Sequence, residues 1–311
     1  MRVTANSLPT ALIDQLNNLS VRQRQLQTQA ATGQRIQNPE DDPSAVRRAL
    51  DLQAESEKIG QYQQNITRQN ELGTASFTAV NSLKSVTDRA GEIATLADGL
   101  KSPQELRVYA NEITQLLKTA VNVANTKNRG DFLFAGTKTD QPPFVLATDS
   151  NGVVTSVTYQ GNETLAEHEI SEGVTVSTQV PGANTSGTGA HGLIADPRTG
   201  ADLFNHLIAL QNHLLAGDTA AVAATDRAAL GKDEDNLVFN LGTNAALQSR
   251  LETEGAILKQ RQTSVAGLTS NEVDADLATT LVQLNQTQNA YQIALQSGAS
   301  VFKQSLMDYL R

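Results

Sequence analysis

Three constellations in this 311-residue sequence have the residue types of a chemical site. His206 and His213 lie seven apart in a helical pattern, with Asp202 a turn before the first, which resembles a metal-ligand face. Two turns of helix separate the imidazoles by roughly 10 Å, too far to share one ion without ligands from another element. They read instead as surface or interface histidines on an amphipathic helix. The runs Glu40-Asp41-Asp42 and Asp233-Glu234-Asp235 could act as acid-base pairs or calcium ligands, but neither has the Asp-x-Asp-x-Asp-Gly spacing of a calcium loop. The first sits where a helix N-terminus favours negative charge, and the second reads as a solvated helix face. Gly182, Gly187, Gly189 and Gly192 do not lead from a strand straight into a helix, so they form no phosphate loop, and no Gly-x-Ser-x-Gly elbow occurs.

Composition argues the same way. Cysteine is absent, which removes thiol nucleophiles, disulfide scaffolds, zinc-cysteine sites and iron-sulfur clusters. Seven Phe, five Tyr and no Trp make 4% aromatics, a poor lining for a small-molecule pocket. The 24 basic and 33 acidic side chains sum to −9, which disfavours nucleic acid and anionic membrane as partners. No enzyme, catalytic residue, cofactor or metal is expected. No run approaches the roughly 18 to 20 apolar residues of a membrane helix. Residues 1–20 show no basic segment followed by an apolar one and a cleavage site, so composition alone points to the cytoplasm.

The elements that would position these residues are mostly helical. Leu277, Leu281, Leu284, Tyr291, Leu295, Phe302 and Leu306 recur in steps of four and three, with Gln288 and Gly298 in the two missing seam positions. Ser270 and Asn271 as caps, with Glu272, Asp274 and Asp276 in the first turn, predict a helix of about 40 residues and roughly 60 Å. At the other end Leu12, Leu16, Leu19 and Leu26 keep the same spacing, continued by Ala30 and Gly33. Asp42 caps a helix with Pro43 at its first position, and Ala49, Leu52, Ile59, Ile66, Phe77, Val80 and Leu83 carry it about 55 residues toward Gly99. The capping box Ser102-Pro103-Gln104-Glu105 opens another, which stops near Arg129-Gly130.

The period then changes to two. Strands are expected at 131–136, 144–147, 153–160, 165–170 and 174–180, with turns at Asp149-Ser150-Asn151-Gly152, Gly161-Asn162 and Glu172-Gly173, as an antiparallel meander. Residues 181–200 read as a mobile loop. Helical periodicity returns at Asp202 with Leu203, Leu207, Leu210 and Leu214, stops at Gly217, and resumes from Asp218 with Leu237, Leu241, Leu251, Leu258 and Val265 on one seam. Gly231, Gly242, Gly255 and Gly267 weaken that last helix by about 1 kcal/mol each. The fold class is mainly α with an inserted β domain, an elongated rod of long helices from both chain ends with coiled-coil-like termini. Its segments are 1–37, 38–130, a β-rich 131–200 with its flexible loop, 201–269 and 270–311.

The flanks of the terminal seams are neutral: Gln23, Gln25, Gln27 and Gln29 at one end, and Gln283, Gln286, Gln288, Asn289, Gln292 and Gln296 at the other. Amides cost less to desolvate than charges, so these helices read as surfaces to be covered by other chains, in preference to a pair within the chain.

Ala31-Thr32-Gly33-Gln34-Arg35-Ile36, followed by Asn38-Pro39-Glu40-Asp41-Asp42-Pro43, resembles the N-terminal motif of the bacterial flagellin and hook-associated protein family. Val273-Asp274-Ala275-Asp276-Leu277-Ala278, the heptads after it and the terminal Leu310-Arg311 are similar to that family's tail. The prolines at 39 and 43, the run from Gly130-Asp131-Phe132-Leu133-Phe134-Ala135-Gly136 to Pro143-Phe144, Asp202-Leu203-Phe204 and Leu214-Leu215-Ala216-Gly217-Asp218 resemble the hook-associated branch. The resemblance implies an extracellular structural subunit at the hook–filament junction, exported without a cleaved signal peptide and self-assembled as a ring or helix. Its implied partners are a neighbouring hook-associated protein, flagellin and an export chaperone. Leu12, Leu16, Leu19, Leu26, Leu277, Leu281, Leu284, Tyr291, Leu295, Phe302, Leu306 and Leu310 would be its assembly interface. Residues 1–37 and 270–311 would form the inner layer around a channel, with the β domain outward. The missing cysteines suit a chain that travels unfolded. A filament flagellin, a soluble coiled-coil binding or adhesin module and a metal enzyme around His206 are the rival readings.

Overall fold

The structure, a computed structural model, describes residues 7–309, with side chains over 10–300. In chain order the elements are α1 (Ser7–Thr32), α2 (Pro43–Leu96), α3 (Pro103–Ala124), β1 (Lys127–Asn128), β2 (Asp131–Phe132), β3 (Phe144–Thr148), β4 (Val154–Tyr159), β5 (His168–Ser171), β6 (Val174–Val176), β7 (Ala195–Asp196), β8 (Ala201–Asp202), α4 (Leu203–Ala216), α5 (Thr219–Ala221), a π-helical turn (Val222–Asp226), α6 (Arg227–Val273) and α7 (Leu277–Tyr309). They group into two compact units, Met1–Lys58 with Gln260–Arg311, and Ile59–Lys259.

The first unit contains α1, α7, the start of α2 and the end of α6. Here α1 and α7 pack as an antiparallel pair, with Leu12 against Gly298 near one end and Gln34 bridged to Asp274 at the other. The expected start of the last helix is corrected. Ser270 and Asn271 do not cap it, because α6 runs on to Val273. Asp276 is the cap, accepting from the N–H groups of Ala278 and Thr279 at 3.0 and 3.4 Å. The chain breaks at 274–276 because Asp274 and Ala275 are engaged with the segment after α1: Ala275 N–H donates to the Gly33 carbonyl at 2.8 Å. Gly33 reaches that position with φ +72°, which a glycine adopts without strain.

The second unit is built on α2 and α6 running antiparallel. On α2 the buried residues Ile66, Gln69, Gly73, Ser76, Val80, Leu83, Thr87, Ala90 and Ala94 alternate steps of three and four, and Ala97 just past its end continues them. On α6 and its π turn, Asp226, Leu230, Asp233, Leu237, Asn240 and Asn244 do the same. A side chain at Gly73 would meet Gln248, and one at Gly255 would meet Ile66, while Arg227 Nε donates to the Ala94 carbonyl at 3.0 Å. Gly255 therefore serves the helix it was expected to weaken, by making room for its partner. Phe77, read as a seam residue, is instead exposed.

The strands do not join into one meander. They form four separate two-stranded antiparallel sheets, β1-β2, β3-β4, β5-β6 and β7-β8. Side chains from the helices and loops satisfy the backbone groups that a neighbouring strand would have used. Asn65 Nδ2 donates to the Glu169 carbonyl at 2.8 Å, and Gln69 Oε1 accepts from Thr178 N–H at 2.9 Å. Arg129-Gly130, read as a helix stop, is the tight turn of β1-β2, with φ of +52° and +103°. The helix stop itself falls at Ala124, capped by Asn125. Residues 181–200, expected as a mobile loop, carry core: Leu193 and Ile194 are buried with the main cluster, and the Asn184 side chain donates to the Thr188 and Ala190 carbonyls.

Candidate assembly site

Leucines on α1 repeat at 12, 16, 19 and 26, so one stripe of that helix must be covered. Leu12, Leu16 and Leu19 are half-buried and Leu26 is 6% exposed. What α7 offers in return is a row of small and polar residues. Thr280, Leu284, Thr287, Tyr291, Ala294 and Gly298 step by four and three and are buried or half-buried. Gly298 has no side chain where Leu12 arrives: a Cβ there would lie 2.6 Å from Leu12 Cδ2. Leucine knobs thus enter a shallow groove.

This arrangement divides the expected seam. Leu284 and Tyr291 face the pair, whereas Leu277, Leu281 and Leu295 are 48%, 50% and 45% exposed. At about 100° per residue, the face meeting α1 is turned by roughly 60° from the line through Leu277 and Leu295. The reason is width: the apolar sector of α7 is broader than one helix can cover. The preference for contacts between chains over a pair within the chain is accordingly revised for α1, whose leucines are engaged within the chain. Phe302 and Leu306 belong to α7, but their side chains lie outside the described residues, as does Leu310 altogether.

The motif between α1 and α2 ties this unit together. Arg35 N–H donates to the Val273 carbonyl at 2.7 Å, and its guanidinium reaches the Glu272 carbonyl at 2.7 Å and Asp42 at 3.3 Å. Arg48 grips the Glu272 carboxylate with two bonds, 2.9 and 2.8 Å, a fork geometry suited to a carboxylate. Asp42 Oδ1 accepts from Ala45 N–H at 3.0 Å and from Ser44 Oγ at 2.8 Å. The Ala45 N–H, then the Ser44 hydroxyl, hold the Asp42 carboxyl down at about 2. The Asn38 and Gln37 N–H groups hold Asp41 below its usual range. Asp42 thus caps α2, and Asp41 closes the turn before it. Sequence reading placed Asp42 correctly and gave Glu272 to the first turn of the last helix, but missed its pairing with Arg48, because 224 residues separate them and no local pattern links them.

The histidines are not brought to a common ion. His206 Nδ1 lies 2.8 Å from Asp233 Oδ2, and His213 Nδ1 lies 2.8 Å from Asp226 Oδ2. Asp233 is buried, which corrects its reading as a solvated face. Glu234 is half-exposed beside Lys84 at 3.0 Å, and Asp235 is exposed. Among the described residues no three His, Asp or Glu side chains are placed to share a metal ion.

Comparison with known proteins agrees with this geometry. The model of the bacterial flagellin N-terminal helical region matches residues 3–139. Flagellar hook-associated protein 3 of Salmonella typhimurium is 23% identical over 258 residues, which cover 81% of this chain and 78% of that protein. A Vibrio parahaemolyticus structure described as a flagellar hook-associated protein aligns with a TM-score of 0.64 at 20% identity, over 75% of this chain and all of that one. FlgL of Bacillus cereus aligns at 0.55 and 18%, over 71% and 99%. The two solved structures share the fold of long helices with small inserted sheets. Residues 3–139 thus carry the likeness to the flagellin N-terminal helical region, and the chain as a whole is similar to flagellar hook-associated protein 3. No helix among the described residues is long and apolar enough to cross a membrane.

Proposed function

We propose that this chain is a non-enzymatic subunit of the hook–filament junction, assembled as a ring of copies that joins a neighbouring hook-associated protein to flagellin. The observation that supports it most is the bare flank of α7. Leu277, Leu281 and Leu295 stay about half exposed although the other flank is already filled by α1. Leucines spaced along one helical line gain free energy when a neighbouring copy covers them. The amides beside them, Gln288 and Gln292, can be covered at low desolvation cost.

In this reading residues 1–37 and 270–311 form the inner layer around the channel, and 38–130 with 201–269 form the next. Residues 131–200 face outward. The contact set is Leu277, Leu281 and Leu295, with Phe302, Leu306 and Leu310 continuing it, while Leu12, Leu16, Leu19, Leu26, Leu284 and Tyr291 brace α7 from within. The subunit leaves the cell without a cleaved signal peptide, held by an export chaperone. Labelling the protein on intact flagella tests the assignment: a single band at the hook end is expected, and signal along the filament would mean a filament flagellin.

A further inference from the structure

Antiparallel packing of α4 against the start of α6 sets two identical rungs in register. His206 meets Asp233 and His213 meets Asp226, each pair at 2.8 Å, and both partners step by seven residues on their own helix. The carboxylates are the buried members: the side chains of Asp233 and Asp226 are 0% and 2% exposed, against 24% and 34% for the imidazoles. The π turn, with its extra residue, carries Asp226 just ahead of the regular helix. Neighbouring charges do not replace the imidazoles. Arg227 donates to the Ala94 and Thr95 carbonyls, and Asp218 is occupied capping Ala221. The charged groups acting on His206 are Asp233 and Lys232 from α6 and Asp202 from its own helix cap.

We propose that the two rungs clamp α4 to α6 and that the His206–Asp233 rung is operated by a proton, closed while the His206 imidazole carries charge and loosened when it loses it. A buried carboxylate is tolerated when its partner neutralises it; with the imidazole neutral, Asp233 keeps the Asp202 N–H at 2.8 Å but loses its paired cation. The direction of titration agrees. The hydrogen bond to Asp233 raises the His206 pKa above 6.5, against the effect of its partial burial. Burial raises Asp233 above its ordinary value, partly offset by His206. Both shifts mean that the folded unit holds protons that the unfolded chain releases. The stabilisation is therefore fully present below about pH 6.5 and is lost as pH rises through the higher folded value of His206.

The consequence extends past the rungs. Gln211, on α4 between the two histidines, donates to the Val154 carbonyl of β4 at 3.0 Å and accepts from Thr114 Oγ1 of α3 at 2.8 Å. A loosened α4 thus releases the turn end of the β3-β4 hairpin, where Val154 pairs with Thr148.

Hydrogen exchange on the full chain between about pH 5.5 and 8.5 reads the clamp. After correction for intrinsic exchange, the opening of α4 amides should increase with pH above the His206 midpoint, by up to about tenfold per pH unit for each proton retained. In the variant His206→Gln, His213→Gln this dependence should disappear. Should that variant not fold, the native chain alone decides: NMR titration should place the His206 midpoint above 6.5. A midpoint at or below 6.5, or α4 opening in the native chain that does not change with pH, would overturn the proposal.

Discussion

Leu295→Asp separates the contacts this chain makes with itself from those it makes with neighbours. In the free chain Leu295 is 45% exposed. Full burial of a leucine is worth roughly 1.5 to 3 kcal/mol, so removing the covered half costs the free chain about 1 kcal/mol. In an assembly the new carboxylate would be enclosed without a cation, a cost of several kcal/mol at every copy, and each 1.4 kcal/mol is a factor of about ten. Leu26→Asp is the contrasting change. Leu26 is 6% exposed inside the α1–α7 pair, so the charge lands within the free chain and should open the pair before assembly begins. Limited proteolysis and circular dichroism of the purified chains, with labelling and swimming of strains carrying them, distinguish the two. Leu295→Asp should resist trimming like the native chain yet be missing from flagella, and Leu26→Asp should lose both terminal helices to protease. A Leu295→Asp protein that incorporates and supports swimming would refute the reasoning. So would one whose ends are digested as fast as those of Leu26→Asp.

Two further changes probe the framework. Gln69 is fully buried and its Oε1 accepts from Thr178 N–H, so Gln69→Ala leaves that donor unpaired and should lower stability by about 1 to 3 kcal/mol in urea unfolding, with the slope unchanged. Asp42→Ala removes the cap of α2. Because the Asp42 carboxyl sits near 2 in the folded chain against 3.8 ordinarily, its contribution is present above about pH 4 and lost as pH falls through about 2. The difference in unfolding midpoint between native and variant should therefore shrink over that window, and a constant difference would argue against the cap.

The long helices were legible because their signals are local. Asp42-Pro43, Ser102 with Glu105, and Gly217 mark their ends by capping chemistry, and the structure puts α2, α3 and α4 within a residue or so of the expected starts. What was illegible depended on distant partners. Period-two patterning identified β3 to β6 but could not show that Asn65 and Gln69, about 100 residues earlier, would take the place of the next strand. The Gly, Ser and Thr content of 181–200 suggested mobility, yet Asn236 of α6 donates to the Gly192 and Leu193 carbonyls and fixes that segment. Composition shows how easily a segment bends, while its order is decided by partners elsewhere in the chain.

The same limit explains the two faces of α7. A seam read from hydrophobic spacing finds the centre of the apolar sector, which here falls between two duties. One flank, with Thr280, Thr287, Ala294 and Gly298, is too small or polar to register as a seam, and it is the one α1 covers. The other holds the leucines that defined the pattern. On α6 and its π turn the polar residues lie inside the unit, where Asp226, Asp233 and Asn236 each find a specific partner, and a shift by one heptad would leave one of the two histidines without its aspartate. Polar groups in a seam thus fix register where both partners belong to one chain. The exposed flank of α7 joins leucines to neutral amides and has no charged residue from Leu277 through Phe302 to fix a single register, a composition suited to a surface that meets equivalent neighbours.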